Sequence, residues 1–250
     1  YRGEPAAVAR GTAGNTQLDT LIRFFLLHEH LPATLLADAL GARLAAKLLD
    51  AGVALSDDRG SIYIALDIRP HIIVGSNRLV FSDVDASLVD HVPGADHVLS
   101  VGAASLSLLQ STPVSPVSTV LDLGTGSGVQ LLGQLECARS ITATDVHRRA
   151  LDLAGATVAA SGTSTEVELV EGSWFEPVAG RTFDRIVANP PFVVGLPEVG
   201  HVYRDSGLNL DGASELVVSQ AVDHLTPGGT AHLLAAWVHT GGQTWQQRVA

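Results

Sequence analysis

From residue 118 to 237 the chain alternates between two kinds of apolar pattern. Short runs rich in apolar and β-branched residues occur at 120–123, 141–144, 167–170, 183–188 and 230–237. Between them, 129–138, 148–160 and 212–225 carry apolar residues at helical intervals. The runs predict strands and the longer stretches predict helices. Strand and helix in regular alternation predict a parallel sheet joined by crossovers, an α/β architecture. Pro227-Gly228-Gly229 is expected to end the last helix before its strand.

The first 70 residues follow a different rhythm. Residues 1–16 read as a loose terminus rich in Gly, Ala and Thr. Helices are predicted over 18–27, 31–41 and 42–49, the second with Pro32 in its first turn. A hairpin over 53–56 and 61–65 follows, turning at Asp57-Asp58-Arg59-Gly60. Three helices and a hairpin are the element order of a winged helix-turn-helix, and equally of a small cap on a larger domain. The expected division is a winged-helix-like α+β domain over 1–70, a β connector over 71–95 and the α/β domain over 96–250. The connector carries short strands at 72–74 and 79–81. A helix at 105–110 and a linker at 111–117 precede the first strand of the sheet.

Composition narrows the function classes. Hydrophobic residues make up 46% and charged residues 16%, enough for a large core. No apolar run reaches the ~20 residues that span a bilayer, and Tyr1-Arg2-Gly3-Glu4-Pro5 has no signal-like apolar core. Membrane partners are therefore not expected, and a cytoplasmic location is. Cys137 is the one cysteine, so no internal disulfide and no Cys-rich metal site is available. His28 and His30 alternate instead of sharing a helical face; they read as a solvated helix end, and no metal ligand set is assigned. The net charge of −11 repels nucleic acid on average. Residues 1–70 hold seven Arg or Lys against eight Asp or Glu, so nucleic-acid contact by this module would need a local basic patch. The chain has no Met, initiator included, and reads as a fragment or an incompletely recorded sequence.

Candidate chemistry concentrates at two strand ends. After the run 183–188 comes Asn189-Pro190-Pro191-Phe192. Neither proline has an N–H to give to a ladder, so the strand stops there and leaves Asn189 in a stiff extended turn. In open α/β sheets that edge binds ligands. An amide, a rigid carbonyl and an aromatic ring presented together form a candidate clamp for a planar –NH2 group. The first strand runs through Asp122 into Gly124-Thr125-Gly126-Ser127-Gly128, and Asp145 ends the second strand 21 residues after Gly124. Glycines let a ligand approach the backbone, and an acid about 20 residues on suits ribose hydroxyls. The spacing is G-x-G-x-G, one position short of the dinucleotide fingerprint. A nucleoside cofactor is expected, with an NAD-linked oxidoreductase as one rival reading.

The combination of Asp122, the 124–128 loop, Asp145 and Asn189-Pro190-Pro191-Phe192 resembles class I S-adenosylmethionine-dependent methyltransferases with an N-P-P-[YF] motif. Glu171-Gly172-Ser173-Trp174-Phe175 followed by Phe183-Asp184 is similar to the HemK-like release-factor glutamine methyltransferases, and to the "methyltransferase small domain" enzymes that modify bases in RNA. The resemblance covers about residues 96–238. It implies a Rossmann-like sheet of seven strands, of which five are read here and two would follow Trp237. It implies S-adenosyl-L-methionine as cofactor. Asp145 would hold the ribose, with Val146 beside it, Gly124, Thr125, Gly126 and Gly128 would pass the methionine part, and Asp122 would bind the cofactor with them. Ser173 stands where relatives carry Asp toward the adenine; Trp174 flanks the adenine or belongs to the core. Residues 97–102 would line the pocket mouth. Asn189 and Pro190 would supply acceptors to the amine, and Phe192 would stack on it. Arg204, in the loop after the clamp, would contact a substrate anion or pair with Asp205. The implied substrate is a release-factor glutamine, with a base amine of ribosomal or transfer RNA as alternative. A silent nucleic-acid-binding module is the reading from a different class.

Overall fold

The structure is a computed structural model of the 250-residue chain; it describes residues 5–85, 94, 96–191, 194, 207–208, 210–239, 241–242, 244 and 246–247. Contacts divide the chain into two compact units, Tyr1–Arg69 with Ser82–His91, and Pro70–Phe81 with Val92–Ala250.

In the first unit, α1 (Pro5–Gly11) and α2 (Gln17–Phe25) precede a two-residue strand β1 (Leu31–Pro32). Then come α3 (Ala33–Leu40), α4 (Ala42–Asp50), β2 (Ala54–Ser56) and β3 (Ser61–Ile64). Residues 5–16 are not loose: α1 forms there, and Thr16 caps α2 by accepting from the Asp19 N–H, while Asp19 accepts from the Thr16 N–H. Leu31 and Pro32 do not begin a helix but pair with β3, closing a three-stranded sheet of order β1-β3-β2. Phe24, Leu31, Leu36, Ile62 and Ile64 form the core between helices and sheet. Asp57 does the turn chemistry expected of it, accepting from the N–H groups of Arg59 and Ser61. Of the two histidines, one is solvated as expected and one is not: His30 is exposed, stacked on Tyr63 with Nδ1 2.7 Å from Asp57 Oδ2, while His28 has φ +54° and a buried ring whose Nε2 lies 3.6 Å from Asp67 Oδ1.

Strands β4 (Leu66–Ile73) and β5 (Ser76–Asp83) form a hairpin longer than the short strands expected. Its two-residue turn places both Val74 and Gly75 at positive φ, the conformation that matches strand twist.

The second unit carries the sheet. After α5 (Ala103–Ser111) come β6 (Val117–Leu123), α6 (Val129–Gln134), β7 (Ala138–Asp145), α7 (Arg148–Ser161) and β8 (Glu166–Glu171). Strand β9 (Phe183–Ala188), α8 (Gly212–Ala221) and β10 (Leu225–Leu233) complete it. All pairings are parallel, in the order β10-β9-β6-β7-β8, a Rossmann-like arrangement. Side chains alternate between two buried faces, as a parallel sheet requires. Val120 and Val187 join Leu131 and Leu132 of α6 on one face; Leu121, Ile186 and Ala188 join Val217 and Ala221 of α8 on the other. The fifth strand starts earlier than the pattern suggests. Leu225 already pairs with Phe183, and Pro227-Gly228-Gly229 forms an irregularity inside β10 before pairing resumes at Thr230. α6 likewise stops at Gln134, four residues short of the expected end.

Asp184 ties the amino-terminal ends of three strands together. It accepts from the Ser118 and Thr119 N–H groups of β6 at 2.9 and 3.0 Å, and from Thr226 Oγ1 of β10 at 2.9 Å. These donors, the Thr119 N–H first, hold its carboxyl below the usual carboxylate range. A lowered pKa contributes stability above the ordinary value and loses it as pH falls through the folded value. Asp184→Ala is expected to lower unfolding free energy by about 1 kcal/mol at neutral pH. In thermal melts the gap to the parent should close as pH drops below 3.8.

Candidate functional site

The strand order reverses at β6: one crossover series leads to β7 and β8, the other to β9 and β10. At the carboxyl ends, on either side of this switch, the chain leaves a pocket of about 550 Å³. That volume is in the range of cofactor sites. Its wall includes Gly124, Thr125 and Gly126 after β6, Asp145, Val146 and His147 after β7, Ser173 and Trp174 after β8, and Asn189, Pro190 and Pro191 after β9. Residues 96–100 and 102–105 complete it.

The glycine loop is built from the inside. Asp122 is 1% exposed, and its Oδ2 accepts from Thr125 Oγ1 at 2.7 Å and from the Leu131 N–H at 2.9 Å. One carboxylate oxygen thus ties the loop to the first turn of α6. Thr125 also donates its N–H to Thr144 O of β7. Gly126, at φ +54°, turns its N–H to Asp145 Oδ2 at 2.9 Å, a conformation that L side chains rarely adopt. Asp145 Oδ1 accepts from the His147 N–H. The Val146 N–H adds a third backbone bond, so the Asp145 carboxylate keeps part of its acceptor capacity for a ligand hydroxyl. The Gly172 N–H donates to Asp145 O and brings the 172–174 turn beside that acid. A Cβ on Gly172 would collide with the Pro177 ring at Cγ, so only glycine fits. Trp174 holds φ +48° at the pocket wall while packing against the core face that contains Phe175. One position thus lines the pocket and packs on the core.

The site brings most of the expected residues together, but not all. Asp122 and Gly128 do not line the pocket. Asp122 lies behind the loop, and Gly128 starts α6 in a left-handed conformation, with Ala154 and Thr157 3.5 Å from where a Cβ would be. Phe192, Tyr203, Arg204 and Asp205 lie outside the described residues. Asn189 is half-buried, and its side chain makes no hydrogen bond among the described residues. The amide that ends β9 therefore faces the pocket with donors and acceptor unused. Sequence reasoning missed Gln130 and His147, which also line the pocket. The signal for Gln130 was a polar residue inside the apolar start of α6, Val129 to Leu132.

Burial dominates the electrostatics. Desolvation pushes Asp122 up to about 7, opposed by the Thr125 and Leu131 bonds and assisted by the Asp145 charge. Desolvation also raises Asp145, against the His147 and Gly126 N–H groups. Among the described residues no group of three or more His, Cys, Asp or Glu could hold a metal ion, and no helix is long and apolar enough to cross a membrane. The Asp122 shift has a defined sign. Between 3.8 and about 7 the folded state holds a proton that the unfolded state has lost, so stability falls as pH rises through that window. Asp122→Asn is expected to flatten this slope in denaturant titrations run at several pH values.

Set beside known proteins, residues 97–240 match the family described as "Methyltransferase small domain", and residues 1–63 match a domain of unknown function (DUF7059). The release factor glutamine methyltransferase of Gloeobacter violaceus is 34% identical over 145 residues, 52% of this chain and 49% of that protein. The ribosomal RNA small subunit methyltransferase C of Serratia proteamaculans is 31% identical over 149 residues, 59% of this chain and 39% of that protein. Among solved structures, a T. thermophilus 16S rRNA N2 methyltransferase in complex with AdoMet and guanosine aligns with a TM-score of 0.51 at 20% identity. It covers 79% of this chain and 53% of that one, and the likeness is one of fold. The chain spans about half the length of the release factor methyltransferase it matches. Strand order, glycine loop, paired acids and a family match over more than half of its length agree: the chain belongs to the methyltransferase small domain family.

Proposed function

We propose that this chain is a cytoplasmic S-adenosylmethionine-dependent N-methyltransferase acting on the side-chain amide of a glutamine in a translation release factor. The observation that carries the reading is the unpartnered Asn189 amide facing the same pocket as Asp145 and the glycine loop. Several relatives at 32–38% identity are release factor glutamine methyltransferases, and the net charge of −11 favours a protein over a nucleic-acid acceptor.

The residues fit the cofactor. Asp145 takes the ribose hydroxyls on the acceptor capacity that its backbone bonds leave open, Val146, Ser173 and Trp174 take the adenine, and Gly124 and Gly126 let the methionine part pass close to the backbone. S-adenosylmethionine held there would supply an electrophilic methyl group, the N–C bond forming as the S–C bond breaks, with S-adenosylhomocysteine as leaving group and one N–H proton lost to solvent. An amide nitrogen is a weak nucleophile because its lone pair is delocalised into the carbonyl. The Asn189 side-chain oxygen and the Pro190 carbonyl accept its two N–H groups, orient it and favour the positive charge that grows on it.

A base amine of RNA is the second reading. It draws on the relative that acts on ribosomal RNA and on the first unit, whose helices and hairpin follow winged-helix order. There Arg43 and Lys47 are exposed one turn apart on α4. Methyl-labelled S-adenosylmethionine incubated with the protein and cell extract separates the two. Label that survives RNase and is released by exhaustive proteolysis as methylglutamine is expected; RNase-sensitive label would replace the proposal with the second reading. Asn189→Ala is expected to bind cofactor as the parent does and to lose about 100-fold in transfer rate. Full turnover by that variant would remove Asn189 from the chemistry.

A further inference from the structure

Asp96 puts a carboxylate at the rim of the pocket that the transfer itself does not use. Among the described residues the pocket wall holds two carboxylates, Asp96 and Asp145, and no Arg or Lys. Asp145 is engaged by the N–H groups of His147, Gly126 and Val146. Asp96 is exposed, and its carboxylate makes no hydrogen bond or ion pair among the described residues. Leu99, three residues on, also lines the pocket and is 49% exposed. The segment that carries both is pinned. Val98 is buried, and the Leu99 carbonyl accepts from Ser127 Oγ of the glycine loop at 2.8 Å.

Position says which ligand this rim meets. The segment runs into α5, which packs on α6 and reaches β10, and Leu108 of α5 shares a core with Val187 of β9. Asp96 and Leu99 therefore stand on the half of the crevice that holds Asn189, away from β7 and β8. That is the half an acceptor enters. A free carboxylate beside an exposed leucine suits a Lys or Arg side chain, whose aliphatic stem covers apolar surface while its charged head stays at the solvent edge. The same carboxylate opposes phosphate, which a nucleic-acid strand carries at every nucleotide. We propose that this rim docks a basic stretch of a polypeptide, with Asp96 pairing with a Lys or Arg near the acceptor glutamine and Leu99 carrying its stem. The inference rests on the amide-acceptor reading and adds to it the charge of the segment around the acceptor. Ser127 serves by holding the Leu99 backbone in place.

Short peptides with a central Gln, Gly and Ala elsewhere, and a single Lys or a single Glu at each flanking position in turn test this. Fluorescence anisotropy with S-adenosylhomocysteine present reads binding without turnover. At the best position the parent should bind the Lys peptide about 5-fold more tightly than the Glu peptide, because an exposed acid attracts one and repels the other. Rising salt should shrink the difference. Asp96→Asn should bring it to within about 2-fold, and Asp96→Lys should reverse the order, which a loss of folding would not do. A single-stranded RNA oligomer of matched length should bind the parent more weakly than the Lys peptide. Equal binding of Lys and Glu peptides by the parent, a Lys preference that survives in Asp96→Lys, or tighter binding of the RNA overturns the inference. Turnover with S-adenosylmethionine separates it from the reading it rests on. Methylglutamine formed equally from Lys and Glu peptides keeps the amide acceptor and removes the docking role of Asp96. A Lys preference in binding with no methylglutamine from any peptide removes the glutamine acceptor instead.

Discussion

The reversal of strand order at β6 is the constraint on which the site depends. With β7 and β8 laid down on one side of β6, and β9 and β10 on the other, the connections diverge at the carboxyl ends of the central strands. Gly124 to Gly126, Asp145 to His147, Ser173, Trp174 and Asn189 to Pro191 all lie at, or within three residues of, one of those ends. The strands need no polar chemistry of their own; their apolar faces hold the ends at fixed spacing. Function then reduces to which residues follow each strand.

Buried carboxylates convert that frame into a shaped loop. Asp122 gives one oxygen to Thr125 and Leu131, and Asp145 gives one to Gly126. Both acids are raised by desolvation, so their ordering of the loop works against the cost of burying charge. The same arrangement makes the loop rigid in advance of a ligand, which reduces the ordering needed on binding. Gln130 extends the scheme to α5, where its Nε2 donates to Ser105 O.

How far the sequence revealed this follows from the range of the interactions. Strands such as 183–188 and 120–123 were readable because burial on both faces leaves an unbroken apolar run. The glycine loop and the Asn189-Pro190-Pro191 turn were readable because backbone conformation there demands particular residues. Readings failed where a distant partner decided the outcome. Leu31 and Pro32 looked like a helix start and were drawn into a strand by β3. His28 looked solvated and is buried near Asp67, 39 positions away. Pro227 to Gly229 looked like a break between elements and is absorbed as an irregularity within β10, because Leu225 pairs with Phe183. Asp122 was expected on the pocket wall, but the loop it braces covers it. Gln130 could be singled out only once Ser105 was known to face it.

The central claim is that one pocket places a methyl donor beside Asn189. A crystal structure of the chain bound to S-adenosylhomocysteine tests it most directly. The account predicts the ribose against Asp145 and the sulfur facing Asn189 across the β6–β9 crevice. A ligand seated elsewhere, or seated here with its sulfur turned away from Asn189, would contradict it.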